Sequence, residues 1–64
     1  SKPDICAKKI MEWIIEYKKT EFKRNEIDWK EEIFSESTIL NALKLLIGRK
    51  EIESSNRKGW YHVP

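Results

Sequence analysis

The residues of this chain that could do chemistry are few, and their types and spacing favour binding over catalysis. His62 has no cysteine and no second histidine at ligand spacing, so we expect no metal site. No serine, threonine or cysteine is accompanied by a base and an orienting partner, so the sequence predicts no catalytic residue. The two glycines, Gly48 and Gly59, do not form a phosphate-binding loop, so no cofactor is expected. The domain itself is therefore predicted not to be an enzyme.

The positive charge that could bind an anion is concentrated near the end of the sequence. The 64 residues carry 13 basic and 11 acidic side chains, for a net charge of +2. Residues 1–34 are balanced, whereas residues 49–64 contain Arg49, Lys50, Arg57 and Lys58 against only two glutamates, and residues 54–64 contain no acid at all. The net excess is small and does not by itself indicate nucleic acid, but all of it lies in residues 49–64.

Helices must position these basic residues, and the first is predicted from about Asp4 to Lys19. Its apolar residues recur at steps of three and four and therefore share one face. Pro3 is tolerated only in a first turn, which places the start of the helix near it. The apolar stripe consists of Cys6, Ile10, Trp13, Ile14 and Tyr17, with Cys6 expected to be a small buried side chain.

The next segment, residues 20–34, has a weaker pattern. Glu21–Lys23 is short and could form a single short extended strand. Asn25 can cap a second helix that covers Arg24 or Asn25 to about Lys30. Trp29 could cover the core or lie half exposed.

The third helix is predicted over residues 35–47. Ser35 is a good cap, an acidic residue follows it, and Gly48 is a natural C-terminal stop. Together with the first helix and the following strand, this helix is expected to form a core from Trp13, Ile14, Ile39, Leu43, Leu46 and Ile52.

The last segment changes to the alternating pattern of strands. Residues 51–54 and 60–63 alternate, and residues 55–59 between them are rich in turn formers. This pattern predicts a β-hairpin with Arg57 and Lys58 at its tip. Tyr61 and Val63 are expected to face the core, which leaves Trp60 at the surface beside the two basic residues.

The order of these elements resembles the winged helix-turn-helix superfamily. The residues that carry the likeness run from Phe34 to Ile52, FSESTILNALKLLIGRKEI, where small polar residues open the third helix and a short loop leads to the wing. The resemblance implies an α+β, mainly α, fold of three helices followed by a two-stranded β-hairpin wing. We expect a single domain over residues 1–64 that is a fragment of a larger protein.

The sequence is also similar to a narrower group, the C-terminal winged helices of replication helicases and primases from phages, plasmids and other mobile elements. That likeness is carried by Ala7, Ile10, Trp13, Ile14, Phe22–Ile27, Ala42, Leu43, Leu46, Gly59, Tyr61, Val63 and Pro64. It implies an accessory role in DNA replication, such as recognising an origin or orienting the motor, with the chemistry in another domain.

In a winged helix the exposed face of the third helix enters the major groove, and the wing lies along the backbone. The resemblance therefore implies contacts with duplex or forked DNA from both elements. Trp60 could stack on a base or sugar, as aromatic residues do in single-strand binders, but we favour packing over the hairpin or the third helix. The implied DNA-binding residues are Ser37, Leu40, Asn41 and Lys44 on the helix, and Arg49, Lys50, Arg57, Lys58 and Trp60 on the wing.

Other interpretations stay open at this point. The helix face and the hairpin tip could simply be solvated charge. A protein-interaction module is favoured by the nearly neutral third helix and by Leu40 on its outer face, and a transcriptional regulator is a further form of the DNA-binding hypothesis. Because the stripe of the first helix is used in the core, we expect a monomer. With one cysteine and no apolar run near the roughly 20 residues of a membrane span, we expect a cytoplasmic protein that contacts no membrane.

Overall fold

The computed structural model describes residues 1–27 and 34–64. In these residues the chain forms α1 (Lys2–Glu16), β1 (Glu21–Lys23), a 3-10 turn (Arg24–Glu26), α2 (Glu36–Gly48), β2 (Glu53–Ser54) and β3 (Trp60–His62). The three strands form one antiparallel sheet in the order β1-β3-β2. No helix of the described part is long and apolar enough to cross a membrane.

The predicted fold of three helices followed by a two-stranded wing is wrong. The described residues form two α-helices and a three-stranded antiparallel sheet, which is a small α+β fold. The third strand is β1, which pairs along β3 with Phe22 opposite Tyr61. Because β3 is the central strand and pairs with β1 on one side and β2 on the other, the hairpin is not a separate two-stranded element.

The predicted helix at Arg24 is, in its described part, a single 3-10 turn. The Glu26 carboxylate accepts a hydrogen bond from the Lys23 N–H at 2.7 Å, and the Ile27 N–H donates to the Arg24 carbonyl at 3.0 Å. Asn25, the predicted cap, lies inside this turn. The continuation of that helix to Lys30, and the position of Trp29, fall outside the described residues.

The two α-helices lie close to their predicted positions. Pro3 occupies the first turn of α1, and the Ser35 hydroxyl caps α2 by accepting the Thr38 N–H at 3.2 Å. However, α1 ends at Glu16, earlier than predicted. Tyr17, predicted on the apolar stripe, follows the helix as its C-cap and is 62% exposed, with its ring 6.5 Å from that of Trp13.

The core lies where α1, α2 and the inner face of the sheet meet. Of the predicted core residues, four are buried, while Trp13 and Ile39 pack against the core half-buried. The fully buried Phe22 of β1 was not predicted as a core residue; its ring stacks on Tyr61 at 5.6 Å and meets Trp13 edge-on at 5.5 Å. The buried residues are Cys6, Ala7, Ile10, Ile14, Phe22, Ile27, Ala42, Leu43, Leu46 and Ile52.

Candidate nucleic-acid interface

The turn of the β2–β3 hairpin presents Arg57 and Lys58 to solvent. The Trp60 N–H donates to the Arg57 carbonyl at 3.1 Å, and the Arg57 N–H donates to the Ser55 hydroxyl at 3.2 Å. Gly59 closes the turn with a φ of 82°, a conformation that side chains other than glycine rarely adopt. The tight turn thus holds two adjacent cations at the end of the sheet.

Trp60 lies on the outer face of the sheet with two cations against its ring. The Arg57 guanidinium carbon is 4.3 Å from the ring centroid, and the Lys23 Nζ is 5.6 Å from it. Lys23 comes from β1, where it pairs directly opposite Trp60. We call Lys23, Arg57 and Trp60 the cation–ring cluster.

Sequence reasoning missed Lys23. The signal that could have identified it is the alternation in Glu21–Lys23, which places Phe22 inward and Lys23 outward once the segment is recognised as a strand. That recognition needed the partner strand, because three residues are too few to show a period by themselves.

The acid nearest to Lys23 along the following turn, Glu26, is already engaged. One of its oxygens lies 3.0 Å from the Lys19 Nζ, and the other accepts the Lys23 backbone N–H. These interactions, the backbone hydrogen bond first, lower the pKa of Glu26 below its ordinary 4.5. The Lys23 ammonium forms no ion pair with a described residue, and its charge is a smaller cause of the lowered pKa of Glu26.

The opposite end of the sheet is acidic. His62 Nε2 lies 2.8 Å from a Glu53 carboxylate oxygen, and Glu21 on β1 is directly opposite His62. The outer sheet face therefore changes from basic at the hairpin turn to acidic at its other end. Among the described residues, no group of three or more His, Cys, Asp or Glu side chains could hold a metal ion.

Arg24 connects the hairpin turn to the start of α2. Its backbone N–H donates to the Gly59 carbonyl at 3.0 Å, and its guanidinium forms an ion pair with Glu36 at 2.8 Å. Ser37 and Leu40 are exposed on the first turns of α2, with Leu40 at 37%. The predicted helix face and the hairpin turn are thus joined through one residue, and the acid at the helix entry is paired.

Asn41 and Lys44 are exposed farther along α2. They line an open cleft that also includes Pro3 and Asp4 from the start of α1. Both side chains are accessible from outside, as a groove-contacting face requires, but they lie beside α1.

Arg49 and Lys50, predicted at the base of the wing, do not join the cation–ring cluster. The Arg49 guanidinium forms an ion pair with Asp4 of α1 at 3.0 Å. The Ser1 hydroxyl and then Arg49 lower the pKa of Asp4 by hydrogen bonding to its carboxylate. Lys50 is exposed in the turn after α2. Arg49 is consequently a contact between the helices and a weaker candidate for DNA than the sequence indicated.

No protein-family model matches the chain, and no curated protein or solved structure matches it significantly.

Proposed function

We propose that this chain binds DNA, duplex or forked, through the hairpin turn and the outer face of the sheet, with the exposed face of α2 beside it. The observation that carries the proposal is the cation–ring cluster with Lys58 next to it. In the described residues, none of its cations forms an ion pair. Arginine and lysine side chains that form no internal ion pair are suited to bind the phosphates of a nucleic acid backbone.

Phosphate contacts should supply most of the affinity, and base contacts little. The α2 face carries a single cation, Lys44, and the acid at its entry, Glu36, is held by Arg24. Sequence-reading helices usually carry more positive charge at their groove-facing surface. We therefore expect weak, largely sequence-independent binding near ~10⁻⁴–10⁻⁶ M.

The test is a salt series of fluorescence anisotropy on two unrelated labelled duplexes. Each phosphate neutralised contributes about −0.9 to the slope of log K against log salt, so we expect a wild-type slope of roughly −2 to −4. The double variant R57Q/K58Q should flatten the slope by about two units and weaken binding to both duplexes alike.

The matched control is K8Q/K18Q, which removes the same charge from exposed positions on α1 and the turn after it. If the binding depends on the hairpin, the control keeps the wild-type slope. Equal slopes for the two double variants would show that overall charge, and not the hairpin, attracts the DNA, and the proposal would be wrong.

A second candidate is a protein-interaction module, favoured by the exposed Leu40 on a nearly neutral helix face. If the protein binds neither duplex at low salt, the protein-interaction hypothesis is favoured over DNA binding. Service to a replication helicase or primase stays a prediction from sequence resemblance.

A further inference from the structure

We infer that Lys23 is a further phosphate-contacting residue, and that Trp60 acts as a positioning residue which holds Lys23 and Arg57 for the sugar-phosphate backbone. This inference rests on the proposed function and deepens it. It concerns a residue of β1, outside the hairpin that the sequence pointed to.

The register of β1 and β3 brings Lys23 and Trp60 together. Lys23 pairs opposite Trp60, so the two side chains emerge on the same face of neighbouring strands. The neighbouring backbone bond from the Arg24 N–H to the Gly59 carbonyl, at 3.0 Å, extends the strand pairing to the turn. The strand pairing therefore holds the backbone of Lys23 close to the turn that carries Arg57.

The charges around Trp60 are positive and lie close together. Two cations lie within 5.6 Å of one ring centroid, where the ring attracts both but neutralises neither. Glu26 is occupied by Lys19 and by the backbone of Lys23, and Arg24 is occupied by Glu36. Among Lys19, Lys23 and Arg24, Lys23 alone keeps its charge free of an ion pair with a described residue.

The basic area of the sheet ends at Trp60. Beyond Trp60 the same sheet face carries Glu21 and Glu53 on either side of His62. A polyanion laid on this face is therefore confined to the turn end. There it would pass between β1 and the hairpin turn, where Lys23 and Arg57 can contact phosphates of one backbone.

The test compares K23Q with K18Q in the same salt series. Lys18 and Lys23 are both exposed lysines, but Lys18 lies in the turn before β1 and away from the hairpin turn. We expect K23Q to flatten the slope by about 0.9 and K18Q to leave it unchanged. Equal slopes for K23Q and K18Q would overturn the assignment of Lys23.

The role of Trp60 is tested by a double-mutant cycle. W60L should weaken binding about two- to fivefold in the wild-type background, as the loss of a ring that orients cations implies. In the K23Q/R57Q background it should have no further effect, because the residues through which it acts are gone. An equal loss in both backgrounds would mean that Trp60 contacts DNA itself, and the positioning role would be wrong.

These outcomes separate the two proposals. If R57Q/K58Q flattens the slope while K23Q does not, the hairpin binds DNA and the inference about Lys23 fails alone. If the wild-type protein does not bind DNA, both fail.

Discussion

Individual ion pairs decide which cations of this small protein are available to a ligand. Arg49 is engaged by Asp4 and Arg24 by Glu36. The Arg57 and Lys23 side chains lie against the neutral ring of Trp60 and form no ion pair with a described residue. A cation–π contact at an exposed site contributes about 0.5–1 kcal/mol, so the ring restrains these side chains without neutralising them. The availability of a cation thus follows from its partner and not from its position in the sequence.

Glu26 provides a test at the residue scale. Its pKa is lowered by the Lys23 N–H and by Lys19, so its ionised form is stabilised in the folded state. This contribution is fully present above the unfolded pKa and is lost as the pH falls through the lower folded value. We expect E26Q to cost less than about 1 kcal/mol of unfolding free energy at pH 7.

The E26Q variant should also lose part of the acid dependence of stability. Urea unfolding of wild type and E26Q, measured from neutral pH to below 4.5, should give curves that converge as the pH falls. A constant difference between the two curves across this range would contradict the role of the ionised carboxylate.

At the element scale, both helices end in the same way, with a lysine in the left-handed conformation. Lys18 has a φ of 51° and Lys50 a φ of 61°. At each end, the N–H groups of this lysine and of the next residue donate to carbonyls of the last helical turn, which is the Schellman pattern. Gly48, predicted as the stop after α2, is instead its last helical residue.

This geometry predicts opposite effects for one type of substitution at two exposed lysines. K18G should stabilise the protein by up to about 1 kcal/mol, because glycine adopts a positive φ without the steric cost that a side chain incurs. K8G, in the middle of α1, should destabilise it by about 1 kcal/mol. Thermal unfolding of K18G and K8G, each compared with wild type, tests both expectations. Destabilisation by K18G would contradict the described end of α1.

The elements that the sequence predicted well are those with local signals. Periodicity identifies α1 and α2, the Ser35 cap places the start of α2, and the turn formers locate the hairpin. The strand β1 and the burial of Phe22 depend on pairing with residues almost forty positions later, which no local pattern contains. Part of the candidate site was missed for the same reason, since Lys23 joins Arg57 only through that pairing.

At the scale of the whole molecule, the net charge of +2 is small, but the positive and negative charges are unevenly distributed. The hairpin turn end of the sheet is basic and its other end is acidic, while Arg24 links the turn to the start of α2. The hairpin turn is thereby linked to the first turn of α2, at Glu36. We predict one continuous interface that runs from β1 over the hairpin turn to the start of α2.

An NMR titration of the ¹⁵N-labelled chain with a short unlabelled duplex tests this account most directly. We expect shift changes in the amides of Lys23, residues 56–60 and the first turns of α2, and in the indole N–H of Trp60, all reduced by added salt. The amides around Ile15 and Tyr17, exposed at the end of α1, should stay unchanged. Changes centred on Ile15 and Tyr17, or no changes at low salt, would contradict DNA binding through the hairpin.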